Sequence, residues 1–262
     1  MSETEFQLLR GGGVTVALAL ALVAQRWSPH ARSAGSWRTN GMFWALDAAI
    51  MATVCGACAC AVARWAGTHG VGLFHALAAP RWVAVLGTIA ALDLVSYTWH
   101  RANHVVPMLW RFHQVHHSDP TFTVSTAMRF HPGELLLSLP LRLVTVAAVG
   151  ASPLAVVAFE VVFAFANLFE HGDINLPRRA ERRFERLCIT PALHRLHHSR
   201  KRAELNSNFG TVFVVWDRLF GTYQASTSTR LVENGLPYRV QADTLAQGMA
   251  LPFSTRAAAY DA

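Results

Sequence analysis

Apolar runs close to the thickness of a bilayer decide the fold class of this chain. A membrane-spanning helix takes about 20 mostly apolar residues, within a range of about 17–25. Residues 42–63 (MFWALDAAIMATVCGACACAVA) and 82–99 (WVAVLGTIAALDLVSYTW) meet that length despite Asp47 and Asp93. Residues 11–25 stand at the short end, and the runs 135–150 and 153–170 meet at Ser152-Pro153 as a hairpin returning to its side of entry. Lipid offers no partner to a free backbone N–H or C=O, so such runs predict helices. Trp27, Trp37, Trp44, Trp65, Trp82 and Trp99 bracket them as an interfacial belt would. The expected architecture is an all-α integral-membrane bundle of about four to five membrane helices or half-hairpins. Composition agrees: 15% of residues are charged, where soluble domains carry about 25%. The expected organisation is membrane helices over 1–99, a histidine-rich region over 100–223 that includes the hairpin 135–170, and a tail of loop and short helix over 224–262.

The formal net charge is +7, almost entirely from arginine, and the basic runs RRAERRFER and SRKR follow the apolar segments. Positive charge beside a membrane marks its cytoplasmic face, and Arg26, Arg32 and Arg38 in the first loop fall on the same side. No nucleic-acid motif accompanies this charge, which excludes a nucleic-acid partner from the expectation. The segment MSETEFQLLR precedes a run without an A-x-A cleavage site, so that run reads as a retained helix. Cys55, Cys58 and Cys60 lie inside an apolar run, where thiolates without a cation are costly. They read as small helix-packing residues.

Ten of the thirteen histidines fall between positions 100 and 198. His100 and His104 form H-x3-H; His113, His116 and His117 form H-x2-H-H; His194, His197 and His198 repeat H-x2-H-H; His131 and His171 stand between. On a helix, residues three and four apart share a face, with Cβ atoms about 5–6 Å apart. Each group therefore offers two or three imidazoles to one small volume, and neutral imidazole binds iron, zinc, copper and nickel. Nine such ligands exceed the need of one ion and suit two, an arrangement able to handle O2. His30, His69 and His75 read as ordinary structural or surface residues, and His131 lacks a helical partner histidine.

These stretches resemble the fatty acid hydroxylase and sterol desaturase superfamily. The resemblance runs through DLVSYTWHRANH, WRFHQVHHSDP, RFHPGE, FEHGDINLP, TPALHRLHHS, NSNFG and WDRLFGTY, about residues 90–223. It implies a membrane-embedded helical fold capped by a cytoplasmic dimetal site that uses O2 and an electron donor on fatty acyl chains, sterols or related lipids. By position it implies His100, His104, His113, His116, His117, His171, His194, His197 and His198 as ligands of two iron ions, with zinc a possible substitute in purified protein. Some relatives carry a further histidine four residues before the position of His171; Asn167 stands there and either binds a metal through water or only supports the site.

Ligating histidines commonly donate their second ring N–H to a carboxylate or carbonyl. Asp93, Asp119, Glu134, Asp173 and Asp217 are the acids available for that support. Asp93, Tyr97, His100 and His104 step along one helical face, and Glu134 stands three residues after His131, where it can hold that ring. The expected activity is hydroxylation or desaturation of a membrane lipid in a multi-pass protein of a bacterial inner membrane. No nucleotide fingerprint, ferredoxin-like cysteine set or cytochrome b5-like domain appears, so electrons come from a separate reductase with ferredoxin or a cytochrome b5-like protein. Arg178, Arg179, Arg182 and Arg183 either attract that donor or anchor the protein to anionic lipid. Two other functions compete. A membrane zinc hydrolase calls for fewer histidines and an H-E-x-x-H glutamate, and a haem or metal carrier calls for single histidines deep within spans.

Overall fold

The computed structural model describes residues 1–32, 34–226, 231–238, 240 and 242–254. Among these the regular structure is helical, with no strand, and five helices are long and apolar enough to cross a membrane. Helix α1 (Glu3–Trp27) starts at a capping box in which Ser2 and Glu5 exchange side-chain-to-backbone hydrogen bonds. Helix α2 (Trp37–Ile50) continues through a wide π turn, Met51–Cys55, into α3 (Gly56–His69). After the short α4 (Leu73–Ala76), α5 (Arg81–Val105) carries the chain back. The expected hairpin is α7 (Pro132–Val149) and α8 (Pro153–Glu170), turned at Gly150 in a left-handed conformation and recapped by the Ser152 side chain. Between α5 and α7 lies α6 (Pro107–His117), and after α8 come α9 (Arg178–Phe184), α10 (Pro191–His197), α11 (Arg202–Leu205), α12 (Val215–Leu219) and α13 (Leu245–Ala250).

The membrane helices extend beyond the apolar runs. α1 begins eight residues before Gly11 and α5 runs six residues past Trp99, because helices continue into polar sequence once packing supports them. The histidine-bearing elements α6 and α10 gather at one end with the C-terminus of α1, where the Gln25 side-chain Oε1 accepts from Val124 and Asp173 N–H. The opposite end brings together Met1, Ala63, His75 and Pro153. The segments 28–36 and 106–131 and the chain after α8 therefore emerge at the histidine end, and 70–80 with α4 and the turn 150–152 at the other. The membrane-facing sides of α1 and α5 expose Leu8, Val16, Leu20, Trp82 and Leu86, as a lipid-embedded surface requires. Trp27, Trp65 and Trp82 are exposed as a belt would be, whereas Trp99 turns inward to line a cavity.

Small residues permit the closest helix contacts. Cys60, Ala59 and Ala63 are buried against Phe6 and Ile89, consistent with a packing role for the cysteine-rich run. The described part of the tail is not peripheral. Ala242 and Leu251 pack on Phe43 and Val115, and Arg129 donates to the Ala242 carbonyl. Tyr238 donates to Gln114 and Arg111 to the Pro252 carbonyl. The tail thus clasps α6; its residues 227–230, 239, 241 and 255–262 lie outside the described residues.

At the far end, Gly72 has φ +108 and meets the backbone of Gly150, which itself has φ +72. A Cβ at Gly72 would overlap that backbone. Gly72→Ala is expected to destabilise by about 2–4 kcal/mol through strain and overpacking, seen as a lower thermal midpoint in detergent. Gly67→Ala, facing open space within α3, gains up to about 1 kcal/mol or is neutral. Equal midpoints for the two variants would contradict the close crossing.

Candidate metal centre

The structure brings together all nine histidines singled out in the sequence and divides them into two groups. His100, His104, His113, His117 and His197 form one; His116, His171, His194 and His198 form the other. Within each group the candidate ligand atoms lie within 4.8 Å of one another. Eight of the nine are buried and His100 is half-buried.

The division follows from helix geometry. At 3.6 residues per turn, position i+4 lies about 40° to one side of position i and i+3 about 60° to the other. On α6, His113 and His117 (i, i+4) join the five-ring group while His116 (i+3) crosses to the four-ring group. On the second H-x2-H-H, His194 and His198 join the four-ring group while His197 crosses to the five-ring group. Each motif therefore does not serve one volume, as the sequence spacing alone suggested, but stitches two together. Across the groups the rings stay close: His117 and His198 stack with centroids 4.3 Å apart.

Five rings have Nδ1 fixed by an oxygen acceptor, which turns Nε2 towards the centre. His100 donates to the Phe209 carbonyl (2.8 Å), His197 to Ser207 (2.7 Å), His171 to Asn167 (2.7 Å) and His116 to Arg129 (3.2 Å). His113 donates to the Glu134 carboxylate at 3.0 and 3.1 Å. The facing Nε2 atoms of His116 and His171 are 3.0 Å apart, and those of His171 and His194 2.9 Å apart. Neutral rings so oriented present lone pairs to each other, a juxtaposition that a cation relieves. Among the described residues the buried Nε2 atoms of His100, His104, His197 and His198 have no hydrogen-bond partner. These donors fit metal ions.

Of the acids expected to support the site, Asp93, Asp119 and Asp217 hold it at one remove. Asp93 is fully buried and accepts from Val212 N–H, Phe213 N–H and the Trp216 indole. Asp217 accepts from Phe209 N–H, Gly210 N–H and Thr222. Together they pin the loop 207–213, whose Ser207 and Phe209 carbonyls orient His197 and His100. Tyr97 bonds Thr222 rather than Asp93. Asn208 takes φ +53 within that loop and anchors it through Leu193 and Gln224 carbonyls, so NSNFG and WDRLFGTY build one device. Asp119 accepts from Ser36, Asn40, Thr121 and Thr126, fixing the segment after His117.

Three expected roles change. Glu134 does not hold the His131 ring; it accepts from Asn103 (2.9 Å) and His113, because its position on the first turn of α7 points it towards α5 and α6. His131 stays outside both ring groups: its Nδ1 caps α7 by accepting from Gly133 N–H, and its Nε2 donates to Met249 in the tail. Asn167 donates its side-chain amide to the Ala127 carbonyl and orients His171 through its backbone. One acid was missed. Glu170 is buried beside the four-ring group, its Oε1 3.8 Å from His194 Nε2, and its Oε2 has no hydrogen-bond partner among the described residues. An acid closing an otherwise apolar run, directly before a histidine, was the signal available in the sequence.

A cavity of about 460 Å³ reaches this centre from between α1, α2, α7 and α8. His100, His113, His116, His171 and His194 line its inner end, and Val14, Met51, Leu135, Phe159 and Phe163 line its course.

Residues 85–222, more than half of the chain, match the fatty acid hydroxylase family, and the chain belongs to that family. It is 33% identical to the ornithine lipid hydroxylase OlsE of Rhizobium tropici, over 66% of this chain and 50% of that protein. It is 32% identical to the alkylglycerol monooxygenase of Homo sapiens, over 51% of this chain and 29% of that protein. It is 28% identical to human cholesterol 25-hydroxylase, over 55% of this chain and 52% of that protein. The chain thus spans about half or less of these relatives. No solved structure matches it.

Burial and neighbouring rings make protonation costly. Burial, ahead of the other influences, pushes His171 and His197 down to about 3 and takes His116, His117, His194 and His198 well below the ordinary range. In the unfolded chain these rings accept protons near pH 6.5. The unfolded state therefore binds more protons between about pH 6.5 and 3, and stability falls with pH across that window. Metal-free protein in detergent is expected to keep full stability above pH 7 and lose it progressively below 6.5. A flat chemical-denaturation profile from pH 7 to 4.5 would contradict this electrostatic picture.

Proposed function

We propose that the protein is an O2-dependent di-iron oxidoreductase that hydroxylates or desaturates a C–H bond of a membrane lipid. The observation that carries this is the convergence of nine imidazoles in two groups at the inner end of an apolar cavity, in a member of the fatty acid hydroxylase family. Two imidazole-rich groups so close together suit a metal pair better than the single open site and glutamate base of a zinc hydrolase.

His100, His104, His113, His117 and His197 would hold one ion and His116, His171, His194 and His198 the other. Glu170 stands where it can add an oxygen donor to the four-ring group. When bound, the iron pair supplies the reduction of O2 to an oxidant able to attack an unactivated C–H bond. For hydroxylation the balance is RH + O2 + two electrons + two protons giving ROH + H2O. The loop 207–213, Glu134 and the Asn167 and Arg129 carbonyls keep the imidazoles in place. The cavity walls place the acyl or sterol skeleton beside them and exclude bulk water.

The electrons come from a separate reductase acting with ferredoxin or a cytochrome b5-like protein. The histidine end faces the cytoplasm, in a bacterial inner membrane. Supporting that side, α9 exposes Arg178, Arg179, Arg182 and Arg183 next to exposed Phe184 and Leu187, a pattern suited to an anionic lipid surface.

Loss of a ligand from either group should abolish the reaction. His197→Ala and His198→Ala are each expected to lower metal content below that of the wild type and lipid oxidation by at least about 100-fold. Glu134→Gln, which alters the partner of His113, should cost about 10–100-fold in metal affinity or activity. Lipid extracts of cells expressing each variant, compared with a strain lacking the gene, report the product. Undiminished oxidised lipid in both alanine variants would refute the function.

A further inference from the structure

The cavity does not end in lipid-like surroundings. Its outer part meets Arg10 on α1, Arg142 on α7 and Glu160 on α8. Each lies seven residues from the far end of its helix: Arg10 from Glu3, Arg142 from Val149, Glu160 from Pro153. At 1.5 Å per residue they form one charged tier about 10 Å inside those ends. Arg142 stands eight residues from Glu134 and Glu160 ten from Glu170, which puts the tier about 12–15 Å from the imidazoles.

The two cations are not equivalent. Arg10 is paired: its Nε lies 3.7 Å from Glu160 Oε2 and its Nη1 donates to the Met51 carbonyl at 2.9 Å. That carbonyl also accepts from Gly56 N–H across the π turn, Gln7 holds the next one at Ala52, and a Cβ on Gly56 would collide with the Arg10 guanidinium. A widened helix turn, a glycine and two side chains are thus organised around one arginine, and such turns concentrate at functional sites. Arg142 has neither an ion pair nor a hydrogen bond among the described residues; its guanidinium lies over the Phe163 ring, 5.4 Å from the centroid, facing the cavity. Within this tier one acid therefore answers two arginines, and a positive charge remains there. A charge at such depth marks a binding function by default.

We propose that this tier is the recognition site for an anionic group of the lipid substrate, a carboxylate or a phosphate, which pairs with Arg142. The group anchors one end of the substrate and delivers a carbon about 12–15 Å along it to the imidazole centre. The guanidinium fork matches both oxyanions bidentately. Asp47 also faces the cavity, four residues before Met51 and about 6 Å nearer the imidazoles; it would oppose an anion placed there and so favours the deeper position. This inference rests on the proposed lipid-oxidising function for its purpose, but its test does not require turnover.

Trp44 and Trp99 line the cavity and report occupancy. Wild-type protein in neutral detergent at pH 8 is titrated with a brominated long-chain fatty acid, its methyl ester, the matching alkyl phosphate and the matching alkylamine, at equal mole fractions in the micelle. Tryptophan quenching should show the acid, the phosphate or both binding at least about tenfold tighter than ester and amine. The stronger of the two anions identifies the group. Arg142→Gln should erase the preference and Arg142→Lys should retain most of it. Equal binding of acids and ester by the wild type, tighter binding of the amine, or an undiminished preference in Arg142→Gln would each overturn the proposal. If Arg142→Gln does not fold, the wild-type comparison alone decides. A protein that prefers anions but oxidises no lipid would refute the function and leave this site standing; oxidation without the preference would do the reverse.

Discussion

The arrangement depends on one constraint: imidazoles three and four residues apart on a helix cannot all face the same point. The two H-x2-H-H motifs turn that geometric limit into a means of interlocking two ring groups. Each motif sends its i and i+4 rings to one group and its i+3 ring to the other, with opposite assignments on α6 and at α10. Neither group can then form without both segments in place. The membrane helices matter because they bring α5, α6, α8 and α10 to one end of the bundle.

Oriented oxygen acceptors make the interlock specific. Four carbonyls and the Glu134 carboxylate fix Nδ1 of five rings, and two of those carbonyls belong to a loop held from below by Asp93 and Asp217. Both acids are spent on backbone and indole N–H groups rather than on imidazole. Their effect on the centre is mechanical: they set where the Ser207 and Phe209 carbonyls sit. This explains how WDRLFGTY, distant in sequence from every ring, belongs to the same site. The tail contributes similarly through Met249 and Ala242, which tie His131 and Arg129.

Much of this was legible in the residues. Run length and the absence of solvent for backbone groups foretold the helices, including the hairpin α7–α8; the histidine spacing identified eight of the rings that converge, and the family resemblance the ninth, His171. Three things were not legible. The split of each motif depends on which neighbours lie on either side of a helix, information that spacing alone does not carry. Glu134 and His131 share a short segment, yet α7 begins between them, so the helix turns one inward and leaves the other as a cap. Arg10, Arg142 and Glu160 lie in three separate apolar runs and appear there as isolated exceptions; only the depth at which the helices pack makes them one tier.

The central claim is that the two ring groups hold two metal ions in unequal surroundings, five imidazoles against four. Mössbauer spectroscopy of protein loaded with iron-57, with iron quantified per chain, tests it most directly. Two irons per chain giving two distinct quadrupole doublets of equal area is the predicted result. Iron at one per chain or less, or a spectrum typical of iron outside any nitrogen-rich site, would contradict the account.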